Sequence, residues 1–128
     1  MDQKYEALFT PWKVGNVEIK NRIVMCPMGG TSLFGWFELG GCHFDKEAAK
    51  LFLERANNNV GLIIPGIAPL RDTFWGKWLW QNPKMFEELK EFMDEIHKTG
   101  AKLFVQLTAG MGRSWAITEL VAPLHRNK

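Results

Sequence analysis

Lys102-Leu-Phe-Val-Gln106-Leu-Thr-Ala-Gly-Met-Gly-Arg113 reads as a short apolar strand that meets its first polar side chain, Gln106, at its carboxyl end and then turns glycine-rich. Two earlier stretches share this design. Arg22-Ile-Val-Met-Cys26 runs into Pro27-Met28-Gly29-Gly30, and Val60-Gly-Leu-Ile-Ile64 runs into Pro65-Gly66. The three strands begin about 40 residues apart, which leaves room for the crossover helix that parallel neighbours require. Strands that read as near-continuous apolar runs are buried on both faces, as in parallel α/β sheets. In such folds ligands bind beyond the carboxyl ends of the strands, where these loops lie.

The intervening segments have helical period. Asp45 to Asn57 places Ala48, Leu51, Phe52, Arg55 and Ala56 on one stripe and Lys46, Glu47, Lys50 and Glu54 outside it. Arg55 must snorkel from that stripe. Asn57-Asn58-Asn59 predicts the stop, because asparagine tolerates the left-handed cap. Asn82-Pro83 predicts the next start, with a capping side chain and then proline at the first helical position. Phe86, Leu89, Phe92, Met93 and Ile96 recur at helical spacing, and Gly100 ends the helix. Ahead of the first strand, Trp12 to Lys20 alternates apolar and polar residues around Gly15-Asn16, the mark of a short β-hairpin. Gly29 to Gly41 and Pro65 to Gln81 read as long loops.

Composition narrows the function classes. The net charge is +2, with acids and bases interleaved and no basic cluster, so nothing indicates a nucleic-acid or polybasic membrane surface. No secretory signal is visible, and no apolar run is long enough to span a bilayer. The expectation is a cytoplasmic protein in which Cys26 and Cys42 are free thiols. Phe34, Trp36, Phe37, Phe74, Trp75, Trp78 and Trp80 fall in loops, where they serve a local core, an interface or a pocket wall.

Leu8 to Met28, the Glu54-Arg55-Ala56 helix end, Gly61-Leu-Ile-Ile64 and Gly100-Ala-Lys-Leu-Phe-Val-Gln-Leu107 together resemble the old yellow enzyme family, the FMN-dependent NAD(P)H:flavin oxidoreductases. The Ile19-Lys-Asn-Arg22 entry, with Pro-Met and Gln-Leu at matching distances, is the most specific part. The resemblance implies the N-terminal part of a TIM (β/α)8 barrel, with residues 1–128 forming about three βα units preceded by the hairpin. A closed barrel takes roughly 250 residues, so the chain is expected to be a portion of one. It also implies an ene-reductase that uses FMN and NAD(P)H to reduce small unsaturated carbonyl or carboxylate compounds.

Carried over, the resemblance sets Pro27, Met28 and Gly29 beside the flavin ring. It sets Gly66 where a side chain would collide with the ring, and Gln106 at the pyrimidine edge. A carboxamide both donates and accepts, which suits that edge, and glycine lets backbone approach a flat ligand. Each residue also has an ordinary alternative: Pro27 and Met28 as strand end and core, Gly66 as a turn glycine with positive φ, Gln106 as a strand cap. His43, before the first helix, is a candidate for substrate contact; His97 suits a helix C-terminus, and His125 lies in the tail. No catalytic residue and no metal ligand is assigned.

Two departures stand out. Gly29 replaces the threonine or cysteine usual in the family. Gln106-Leu-Thr-Ala-Gly-Met-Gly-Arg113 is one residue longer than the usual motif and lacks its histidine. That variant is nearest the 2-enoate reductase and bile-acid or dienoyl-CoA reductase-like branch, whose longer members carry an iron–sulfur cluster and FAD. Two cysteines cannot supply a four-thiolate cluster within this chain. The isolated chain is expected to be inactive, with the rest of the barrel or a second copy as partner. A non-catalytic flavin- or partner-binding fragment and an inactive truncation are the alternatives.

Overall fold

A computed structural model of the chain describes residues 3–28, 33–34, 43–69 and 82–108. A 3-10 helix, Gln3–Phe9, leads into an antiparallel hairpin of β1 (Trp12–Val14) and β2 (Val17–Ile19). Of its two loop residues only Gly15 has positive φ, at +56°, the pattern of a type II′ rather than a type I′ turn. Then come β3 (Val24–Met25), α1 (Lys46–Asn57), β4 (Leu62–Ile63), β5 (Ile67–Pro69), α2 (Pro83–Lys98), β6 (Lys102–Leu103) and β7 (Gln106–Thr108).

β3, β4 and β6 form one parallel sheet in that order, with Val24, Leu62 and Lys102 abreast and Met25, Ile63 and Leu103 abreast. The ladder continues one step further. Ile64 N–H donates to the Met25 carbonyl and Phe104 N–H to that of Ile63, each at 2.9 Å. Because side chains alternate, each row lies on one face of the sheet. Met25, Ile63 and Leu103 take the helix-covered face, packing with Phe52, Ala56, Phe92, Ile96 and Ala101.

The helices begin and end for local reasons. Asp45 caps α1, its carboxylate accepting from the Glu47 and Ala48 amides at 2.9 Å, a contact worth about 1 kcal/mol. Asn59 at φ +69° turns the chain out of α1, and Gly100 at φ +78° turns it out of α2. At the start of α2, Pro83 occupies the first turn, but the Asn82 side chain makes no capping bond. The buried line of α1 is Ala49, Phe52 and Ala56, so the expected stripe is rotated, and Arg55 is exposed beside Glu54. On α2, Phe86, expected on the buried stripe, is 49% exposed, and Met85 is buried in its stead.

Two strand readings also need correction. The second and third strands are each split in two, and Ile67–Pro69, read as loop, forms β5 in parallel pairing with β7. The partner offset is 40 residues at Ile63↔Leu103 but 39 at Ile67↔Gln106, so the second strand carries one extra residue between its halves. Such an insertion is a bulge. Trp36, Phe37, Phe74, Trp75, Trp78, Trp80, Cys42 and His125 lie outside the described residues.

The amino ends of the strands are held by Lys20-Asn21-Arg22. Asn21 is 4% exposed, and its carboxamide donates to the Asn59 carbonyl at 2.6 Å and accepts from the Ile23 amide at 3.0 Å. Its own carbonyl accepts from the Trp12 indole at 2.7 Å. Arg22 bonds Thr10 through Nε at 2.9 Å, and Lys20 Nζ donates to the Thr99 carbonyl at the end of α2 at 2.8 Å. This three-residue clip ties the hairpin, the α1–β4 turn and the α2–β6 turn together.

Partial burial lowers the Lys20 pKa below the ordinary 10.5, because desolvation penalises the ammonium. As pH climbs, the folded chain releases that proton before the unfolded chain does. The unfolded state then binds more protons, so stability rises with pH over the window that ends near the ordinary value. Lys20→Met should flatten that rise. It should also cost about 1 kcal/mol at neutral pH through the lost carbonyl bond, as read from urea midpoints at neutral and alkaline pH.

Candidate functional site at the carboxyl end of the sheet

Parallel, in-register strands deliver their carboxyl ends to one side of the sheet. Pro27 stands two residues beyond Met25, Gly66 three beyond Ile63, and Gln106 three beyond Leu103. Met25, Ile63 and Leu103 are abreast, so Pro27, Met28, Gly66 and Gln106 gather at the same end of the sheet. The Lys20–Arg22 clip holds the opposite end.

Gly66 is the most constrained member. Its N–H donates to the Ile64 carbonyl at 3.0 Å, closing an inverse γ-turn over Pro65, whose ring presets the turn. It is buried at φ +62°, a conformation that glycine reaches without a Cβ penalty. This is the bulge that offsets β5 from β4. Gly66 immediately precedes Ile67, which pairs with Gln106, so bulge and glutamine are diagonal neighbours.

Gln106 opens β7 with an exposed side chain that has no hydrogen-bond partner among the described residues. Met28 is 55% exposed, Pro27 is half-buried, and Cys26, one residue earlier, is an exposed free thiol. Gly29 lies outside the described residues. His43 is half-buried before the Asp45 cap, and its amide donates to the Phe34 carbonyl at 3.1 Å. That bond, with Asp45 N–H on the Leu33 carbonyl at 2.9 Å, ties residues 43–45 to buried Leu33 and Phe34. His97 is exposed in the last turn of α2.

These features fit a flat, polar-edged aromatic cofactor such as FMN. A buried glycine lets backbone approach a ring face, an unpartnered carboxamide offers a donor and an acceptor, and Met28 offers apolar surface. Among the described residues no group of three His, Cys, Asp or Glu side chains is placed to hold a metal ion, and no helix is long and apolar enough to cross a membrane. What sequence reasoning missed is the bulge. Its only signal is the Pro65-Gly66 pair, which reads equally well as the start of a loop.

Comparison with known proteins shows the family. The model of the NADH:flavin oxidoreductase / NADH oxidase family matches residues 7–123. The cinnamate reductase of Clostridium sporogenes is 35% identical over 120 residues, which cover 88% of this chain and 17% of that enzyme. An NADPH dehydrogenase of Listeria welshimeri is 30% identical over 120 residues, 91% of this chain and 34% of the dehydrogenase. The crystal structure of Old Yellow Enzyme from a Pichia species matches with a TM-score of 0.61 at 28% identity, over 89% of this chain and 29% of that one. The chain thus spans between 17% and 34% of the length of these relatives.

Proposed function

Because this chain belongs to the NADH:flavin oxidoreductase / NADH oxidase family, we propose that it forms the first three βα units of an FMN-dependent ene-reductase barrel and supplies part of the flavin bed. The observation that carries this reading is the exposed Gln106 carboxamide, without a partner among the described residues, beside the buried, positive-φ Gly66 at the carboxyl end of the sheet. The chemistry that FMN supplies when bound is hydride transfer, from NAD(P)H to the β-carbon of an unsaturated carbonyl or carboxylate compound. Gln106 would pair with the polar edge of the ring, Gly66 would admit the ring close to backbone, Pro27 and Met28 would line its side, and the resemblance adds Gly29 to them. His43, ahead of α1, remains the candidate for substrate contact. Kinship with a cinnamate reductase supports an unsaturated acid as the substrate class. The groups that stabilise the enolate and deliver the proton come from later barrel strands. An iron–sulfur cluster or FAD would draw on residues outside this chain, which has only two cysteines.

Gln106→Leu tests the reading in the complete flavoprotein. The change is nearly isosteric and leaves the ring's polar edge buried without partners, so flavin binding should weaken by about 1–3 kcal/mol, with a shifted reduction potential. Unchanged potential and flavin retention would reduce Gln106 to a strand end.

The 128-residue chain by itself should bind FMN weakly, because barrel phosphate sites come from the loops after strands seven and eight. Flavin fluorescence quenching measures this. Submicromolar affinity would favour the non-catalytic flavin-binding fragment instead.

A further inference from the structure

The sheet pairs with an offset of 40 residues at Ile63↔Leu103 and of 39 at Ile67↔Gln106. With Pro65 removed, a single register would run through both: Ile63 still meets Leu103, Gly66 meets Val105, and Ile67 still meets Gln106. The pairing therefore needs no extra residue here, and carrying one is unfavourable. Phe104 N–H donates to the Ile63 carbonyl, so the regular ladder would next have the residue-65 amide donate to the Phe104 carbonyl. Residue 65 is a proline and has no amide to give. Gly66 must also adopt φ +62°. A departure from regular pairing that the sheet does not require is characteristic of a binding site.

What the extra residue changes is which face Gly66 occupies. Ile63 and Leu103 lie on the helix-covered face, and strand positions alternate from there. Residue 65 then falls on the helix side and Gly66 on the opposite face. Counting from Leu103 puts Gln106 on that opposite face too. Ala68 confirms the shift. It is buried in the same core cluster as Ile63 although five residues separate them, which a regular strand forbids and one inserted residue permits. Without Pro65, Gly66 would move to the helix side, abreast of Val105, and the face that carries Gln106 would have no glycine. Resting on the flavin reading proposed above, we infer that the bulge serves the cofactor rather than the sheet. Pro65, fully buried, is its positioning residue: it supplies the extra position that brings Gly66 onto the Gln106 face, and its ring fixes the γ-turn there.

Deletion of Pro65 in the complete flavoprotein tests this. Stripped of flavin, the variant should keep the parent's circular dichroism and melt close to the parent apoprotein, because both halves of the ladder keep their partners. It should bind FMN at least tenfold more weakly by fluorescence titration, and any flavin it retains should have a shifted reduction potential. Pro65→Ala keeps the extra residue and should lose less affinity than the deletion. A deletion variant that unfolds, or melts far below the parent, overturns the inference by showing that the sheet requires the bulge. One that folds and holds FMN with the parent's affinity and potential overturns it while leaving the flavin reading intact, since the parent still carries the cofactor. Pro65→Ala as impaired as the deletion would assign the effect to the proline ring and overturn the role of the extra residue. A parent without FMN is the separate failure of the flavin reading and overturns both.

Discussion

Gly61→Val should cost the chain about 3–5 kcal/mol, read as a lowered urea midpoint by tryptophan fluorescence. A Cβ at residue 61 would run into the Asn21 carboxamide oxygen, with the Asn21 backbone carbonyl only 3.1 Å away. Neither neighbour can retreat cheaply. The backbone carbonyl is held by the Trp12 indole, and the carboxamide bridges the Asn59 carbonyl and the Ile23 amide. Rotating Asn21 away breaks two part-buried hydrogen bonds, to the Asn59 carbonyl and from the Ile23 amide. The β4 strand cannot shift instead, because Gly61 N–H bonds the Ile23 carbonyl at 3.0 Å and its carbonyl accepts from Lys102 at 2.9 Å. A double-mutant cycle isolates the cause. Gly61→Ala should be costly beside Asn21 and clearly cheaper in an Asn21→Ala background, where only the backbone carbonyl contact remains, giving a coupling above about 1 kcal/mol. Additive effects would show that Gly61 is constrained by something other than Asn21.

That clip also marks where sequence reading stops. Ile19-Lys-Asn-Arg22 is the stretch that most resembles the family, yet nothing in its residue types says what it does. The partners of Asn21 and Lys20 lie 38 and 79 residues away, so their role exists only once the turns after α1 and α2 have been brought together. Local features were legible because their causes are local. Asp45 caps a helix through its own neighbours, Asn59 and Gly100 supply left-handed geometry where helices end, and Gly15 closes a two-residue turn.

The buried stripes were legible only to within one position. Phe86 and Met85 both suit an apolar face, and a 3.6-residue period cannot choose between adjacent residues. The sheet chose, burying Met85 with Phe92 and Ile96. The split of the later strands was hidden for a related reason. A one-residue bulge alters pairing without altering composition, so Ile67–Pro69 kept the appearance of loop. The site residues themselves were visible as types, a glycine and a glutamine after apolar runs. Their adjacency needed the register, which pairs Gln106 with the residue after Gly66.

Gly66 now separates two demands that sequence alone left merged, close approach of a ring and positive φ. Gly66→Val should lose about 2–4 kcal/mol of stability with or without flavin. A β-branched residue at φ +62° is strained, and the bulge holding it is buried. Loss of colour in that variant therefore says little about the cofactor. Gly66→Asn is the discriminating change, since asparagine adopts left-handed geometry readily while adding a side chain where the ring must approach. In the complete flavoprotein, Gly66→Asn should keep native-like circular dichroism and most of its thermal stability, yet purify with little or no bound FMN. Close-packed sites do not yield that volume, so the flavin is displaced rather than the fold. A stable Gly66→Asn protein with the parent's flavin content and absorbance would show that the glycine serves the bulge alone, and the cofactor would have to lie elsewhere along these strand ends.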